Sequence, residues 1–256
     1  LAMLRVVGSR FEGLALYTLL LFACSRGPST AEQAARPAAP GGAAGSSARP
    51  APALDAASSA GAALQTLSVR ERGTQQGYSR AEFGPAWKDV DRNGCDTRND
   101  ILRRDLLAPR LKQGSHCVVV DGSLHDPYSA QHLLFHRGVG TSTAIQIDHV
   151  VALSNAWQTG ARQLPAARRA ELANDPLNLL AVDGRLNEEK GDSDAAEWLP
   201  PNAGFRCRYV ARQIAVKQRY QLWVTPAERT AMRGVLAGCP GEPLPTDEDA
   251  KRAARP

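Results

Sequence analysis

Aromatic residues are scarce, 5% of the 256 positions, and none occurs between Phe22 and Tyr78. A segment dominated by Ala, Pro, Gly and Ser buries too little apolar surface to offset the entropy of ordering it, so residues 25–63 are expected to form a disordered linker. Lysine is rarer still, with five against 26 arginines. The net charge of +5 and the pI near 9.1 permit an anionic partner such as nucleic acid. An arginine bias also follows from genomic base composition, so basicity alone selects no partner. The apolar run from Gly13 to Ala23 has 11 residues, against about 20 for a helix that spans a bilayer. The patterns H-E-x-x-H, G-x-S-x-G and G-x-x-x-x-G-K-[ST] are all missing, which removes the zinc-protease, α/β-hydrolase and phosphate-loop readings. No two cysteines stand at the close spacing of a structural zinc site.

What is present begins with an export signal over residues 1–24, in which Arg5 and Arg10 precede the apolar run and small Ala23 precedes Cys24. Leu21-Phe22-Ala23-Cys24 resembles a lipobox, which would make Cys24 a lipidation site and the protein a cell-envelope lipoprotein. A plain secretory signal accounts for the segment equally well and leaves the protein extracellular. Setting Cys24 aside leaves Cys95, Cys117, Cys207 and Cys239, an even number suited to disulfides in an oxidising compartment. Of three possible pairings, Cys95 with Cys117 and Cys207 with Cys239 is expected, because each closes a local loop around one structural unit.

Residues 64–239 hold enough apolar side chains for one domain, and residues 240–256, mixing Pro with both charge signs, are expected to be disordered. Asp96 or Thr97 should cap a helix reaching Leu106. Cys117 to Asp121 reads as a strand turning at Asp121-Gly122 into a hairpin with Ser123 to Tyr128. Thr143 to Asp148 alternates as a half-buried strand does. Helices are expected over Val151 to Gln158 and Ala166 to Ala173, then a short strand from Asn178 to Val182. A turn at Asp183-Gly184 and a helix from Asn187 to Trp198, frayed near Gly191, should follow. Arg208 to Tyr220 and a capping box at Thr225-Pro226-Ala227-Glu228 mark the last two helices. Strand pairs of long range among helices indicate an α+β fold.

The chemistry concentrates in Ile147-Asp148-His149-Val150, Asn178-Leu179-Leu180 and Asn187-Glu188-Glu189-Lys190-Gly191-Asp192. A hairpin packed on a helix brings Asp148 and Asn187 together as a two-oxygen clamp with a histidine beside it. Carboxylate and amide oxygens suit a hard cation that keeps its waters, Mg²⁺ or Mn²⁺ rather than Zn²⁺. A neutral His149 can take a proton from water, and Lys190, one turn from Asn187, can hold a phosphate oxygen. The bland readings are also available. Asn178 can cap a turn, Asn187 can cap a helix, and Lys190 can belong to a solvated face. His116, His125, His132 and His136 have no such company.

The order Asp148-His149, Asn178, Asn187, Lys190 resembles the ββα-metal motif of HNH endonucleases. Together with Gly94-Cys95-Asp96-Thr97-Arg98-Asn99-Asp100, Asp126-Pro127-Tyr128, Asn174-Asp175-Pro176-Leu177-Asn178-Leu179 and Glu197-Trp198-Leu199-Pro200-Pro201, it is similar to exported bacterial HNH proteins related to the GmrSD restriction endonuclease C-terminal domain. The resemblance covers about Tyr78 to Cys239. It implies a ββα-metal core with additional helices and a metal-dependent endonuclease acting on nucleic acid, DNA in the first place. It further implies that Asp148 and Asn187 hold the metal, that His149 activates water, that Asn178 orients the imidazole through its backbone or amide, and that Lys190 contacts phosphate. Asn187 stands where the name HNH has its last histidine. The alternative is a non-catalytic envelope lipoprotein that uses this scaffold to bind nucleic acid or a partner, its membrane contact made through Cys24.

Overall fold

The computed structural model describes residues 59–253; the leader, Cys24 and most of the expected linker lie outside them. Helix α1 (Ala60–Thr66) opens inside that linker, because Ser59 caps it by accepting from the Ala62 amide and because Ala60, Ala63 and Leu64 form a buried face. It packs on α6 (Arg206–Arg219) and α7 (Pro226–Ala237). Helix α2 (Thr97–Asp105) starts at its Asp96 cap, as the sequence indicates. Strands β1 (Leu107–Leu111), β2 (Val119–His125) and β3 (His132–His136) form an antiparallel sheet in that order. The turn expected at Asp121-Gly122 is not there. As the middle strand, β2 runs on through these residues, paired with β3 at both and with β1 at Asp121 and Ser123 around a bulge, and the chain reverses after His125, where the Asp126 side chain accepts from the Ser129 amide.

Strand β4 (Ile145–His149) pairs antiparallel with β5 (Leu179–Asp183), with Ile145 opposite Asp183 and His149 opposite Leu179. Helices α3 (Leu153–Gln158) and α4 (Ala166–Asn174) fill the connection between the two strands. Helix α5 (Gly184–Lys190) follows β5 without a loop, since the Asp183 carboxylate accepts from the Leu186 amide. The pair read as a turn is therefore a helix start. The helix ends before Gly191, whose φ of 54° lies in the left-handed region, rather than running to Trp198. Gly184 has no substitute, because a Cβ there would lie 1.9 Å from the Thr143 carbonyl oxygen.

Two apolar cores result. The larger surrounds α6 and gathers α1, α3, α7 and the inner face of β5, and the smaller lies between α2, β2 and the other face of the β4–β5 pair. Both expected disulfides are formed, Cys95 with Cys117 and Cys207 with Cys239. Residues 240–253 are ordered against the domain, contrary to the composition reading. Leu244 is buried, Asp247 pairs with Arg219, and Thr246 caps a short helix α8 (Asp247–Ala250). Two buried apolar residues, Leu244 and Ala250, and one cap suffice where no periodicity is visible. The architecture is α+β, and no helix among the described residues is long and apolar enough to cross a membrane.

Candidate active site

The register of β4 with β5 puts Asp148 and His149 at the end of the hairpin, and α5 leaves the other strand at once, returning Asn187 and Lys190 toward them. The His149 ring is buried, and its Nε2–H donates to the Ala173 carbonyl oxygen at 2.9 Å. That bond fixes the tautomer and leaves Nδ1 with a lone pair. Burial disfavours the imidazolium and carries the pKa down to about 4, against smaller opposing effects of the Ala173 carbonyl and the Asp148 carboxylate. His149 is therefore neutral at physiological pH. The Trp87 ring lies nearly parallel to the imidazole, 15° between planes with centroids 6.2 Å apart.

Asp148 is almost fully buried. Lys190 Nζ donates to its Oδ1 at 2.9 Å, and the Tyr128 hydroxyl donates to its Oδ2. Lys190 also donates to the His149 carbonyl oxygen at 2.9 Å. Its ammonium is wholly inside the protein, so the expected phosphate contact is corrected: Lys190 is the counter-charge of Asp148. Burial raises the Tyr128 hydroxyl well above its usual range, with the Asp148 charge adding to the effect, and it remains a donor. The role expected of Asn178 is also different in kind. Its amide oxygen accepts from the Val151 amide at 2.8 Å, and its carbonyl accepts from the Val150 amide, so it fixes the chain after His149 and leaves the imidazole to Ala173. Asn187 donates to the Gln146 amide oxygen at 2.8 Å, which leaves its own amide oxygen available.

A cavity of about 240 Å³ is lined by Asp148, His149 and Asn187 together with Arg80, Ser154 and Asp192. Asp192 accepts from the Ser154 hydroxyl and from Gln75, each at 3.0 Å. The donor set of this cavity is oxygen-rich: two carboxylates, an amide and a hydroxyl. Such donors fit a hard divalent cation that keeps several waters. A carboxylate offers about four lone-pair sites, and among the described residues the Asp148 carboxylate accepts from Lys190 and Tyr128. Lys190 opposes a second cation beside it, so the fit rests on the other donors as well. Sequence reasoning missed Tyr128, Asp192, Arg80 and Trp87. Tyr128 and Asp192 stand inside the quoted motif segments, whereas Arg80 and Trp87 belong to a stretch with no pattern that marks it.

The model of the GmrSD restriction endonuclease C-terminal domain matches residues 96–235, from the cap of α2 into α7. A protein of Arthroderma benhamiae named an uncharacterized secreted protein is 38% identical over 193 residues, covering 73% of this chain and 88% of the relative. The chain belongs to the GmrSD C-terminal domain family. No solved structure matches it. Asp148, His149, Asn178, Asn187 and Lys190 all fall inside the GmrSD C-terminal match, whereas Tyr78, Arg80 and Trp87, which complete the walls around His149, precede it. The family relation indicates a nuclease-related role.

Proposed function

We propose that the protein is an HNH-type endonuclease that hydrolyses phosphodiester bonds of nucleic acid, DNA in the first place, with His149 as general base. The observation that carries this reading is the placing of β4, its partner β5 and the helix α5 that follows β5 around one cavity, with Asp148, His149 and Asn187 on its walls. Asp148 and Asn187, with Asp192 beside them, would hold Mg²⁺ or Mn²⁺. When bound, the ion supplies charge stabilisation for the phosphate and its leaving oxygen. Neutral His149 takes the proton of the attacking water at Nδ1, while Nε2 stays tied to Ala173. Arg80 at the rim meets the phosphate charge. Lys190 and Tyr128 hold the Asp148 carboxylate in place. We further propose that the protein acts outside the cell, on three grounds: the apolar segment 13–23, the two disulfides, and a relative named as secreted. Lipidation at Cys24 falls outside the described residues.

One observation favours the second reading, a non-catalytic scaffold: the Asp148 carboxylate already has a buried counter-ion in Lys190. Cleavage of plasmid DNA by the purified chain decides between them. Cleavage is expected with Mg²⁺ or Mn²⁺ and none in excess chelator; equal rates in both would remove the metal from the mechanism. Asn187→Ala should recover part of its lost rate as Mg²⁺ is raised, since a ligand defect is offset by mass action, while His149→Ala should not. Normal turnover by His149→Ala would remove the proposed base.

A further inference from the structure

A second cavity, of about 420 Å³, adjoins the first across His149, and Arg80 and Leu153 also line both. Its character is different. Phe83, Pro85, Ala86 and Trp87 make it mainly apolar, with Asn174 at one wall. The Asn174 side chain is 1% exposed, donates to the Ala170 carbonyl oxygen at 2.9 Å, and keeps an amide oxygen that has no partner among the described residues. That oxygen is closed off from the cavity as well as from the outside, so the ligand this space suits is one that is flat and apolar over most of its surface. Trp87 is only partly buried, and its ring lines the cavity beside the imidazole.

We propose that this cavity is a subsite for one unstacked nucleobase, on the nucleotide that adjoins the phosphodiester held at His149. The proposal rests on the nuclease reading for its place in the reaction, and its chemistry comes from the cavity. A base has two π-faces for an aromatic wall such as Trp87. The arginine on the border between the two cavities stands where the phosphate between base and scissile bond must pass. A base stacked inside a duplex cannot reach a wall of this kind without leaving the helix, so the subsite makes the enzyme prefer single strands, frayed ends or flipped bases.

The test uses the full chain and two measurements. In the first, single-stranded oligodeoxythymidylate carrying one abasic residue is digested and its cleaved bonds are mapped. Cleavage is expected to fall about 5- to 100-fold at one of the two bonds that flank the abasic residue, on one side only, because only one neighbour of the scissile phosphate occupies the subsite. In Trp87→Ala this asymmetry should shrink toward none, and Trp87→Phe, which keeps an aromatic face, should restore most of it. Equal cleavage at both flanking bonds and at all others would overturn the proposal while leaving the nuclease reading intact. In the second, quenching of tryptophan fluorescence by oligodeoxythymidylate is compared with quenching by an abasic chain of equal length, in wild type and in Trp87→Phe. Base-dependent quenching that Trp87→Phe loses, in a protein that cuts no diester, would keep the subsite and sink the nuclease reading. Quenching that is the same with and without bases would overturn the subsite.

Discussion

At the scale of residues, His149 shows what burial does to a base. Its pKa near 4 lies below the value of about 6.5 that an unfolded chain gives it. Between those two values the unfolded chain binds a proton that the folded protein does not, so stability rises with pH across this window. The contribution is fully present above about pH 6.5 and is lost as the pH falls toward 4, roughly 3 kcal/mol in all. Urea denaturation in chelator should therefore show a decline from pH 7 to pH 4.5 that is shallower in His149→Phe; parallel curves would refute the assignment. The same scale holds the error over Lys190. A lysine in a run with Glu188 and Glu189 reads as solvated, and nothing in one sequence shows that its ammonium is buried against Asp148. Lys190→Ala should cost about 3–5 kcal/mol, because it strands a buried carboxylate. Lys190→Met combined with Asp148→Asn should recover most of that in the same denaturation assay, and an equal loss in both would refute the pairing. The Asp148-His149 pair itself was legible, because two ionisable residues at the end of an apolar strand require a reason.

At the scale of elements, what could be read was what local chemistry alone decides. The Thr225–Glu228 capping box and the Asp96 cap are each written in a few adjacent residues and stand where the sequence places them, and the strand read from Thr143 begins two residues later, at Ile145. The misreadings occurred where tertiary contact decides. Asp121-Gly122 has the composition of a hairpin turn, yet two neighbouring strands hold it extended. Asp183-Gly184 has it too, yet the close approach of Thr143 and the capping of Leu186 make it the joint between β5 and α5. That joint aims α5, and with it Asn187, at the cavity. Gly184→Ala should force the strand and helix apart and destabilise by about 3 kcal/mol or more, with a cleavage defect larger than the shift in melting temperature accounts for. An unchanged melting curve would show that the Thr143 contact yields without cost.

At the scale of the whole molecule, stability and the proposed export meet in the disulfides. Each links residues a short way apart, 22 and 32 positions. Closing loops of this size removes unfolded-state entropy equivalent to roughly 3 kcal/mol apiece, which suits a domain without the reducing protection of a cytosol. Their consequences for function should differ. Cys207–Cys239 joins the start of α6 to the residue just past α7, on the helical side. Cys95–Cys117 ties the segment before α2 to the chain entering β2, and Trp87, packed against that smaller core, is the ring that lies along His149. Replacing Cys207 and Cys239 by serine should lower the melting temperature while leaving cleavage at 25 °C nearly intact. Replacing Cys95 and Cys117 should lower both, since the strand and helix that seat Trp87 loosen around the imidazole. Melting curves and cleavage rates measured on the two double variants test this contrast. The opposite pattern, activity lost with Cys207–Cys239 and kept without Cys95–Cys117, would mean that the helical core rather than the Trp87 segment holds His149 in place.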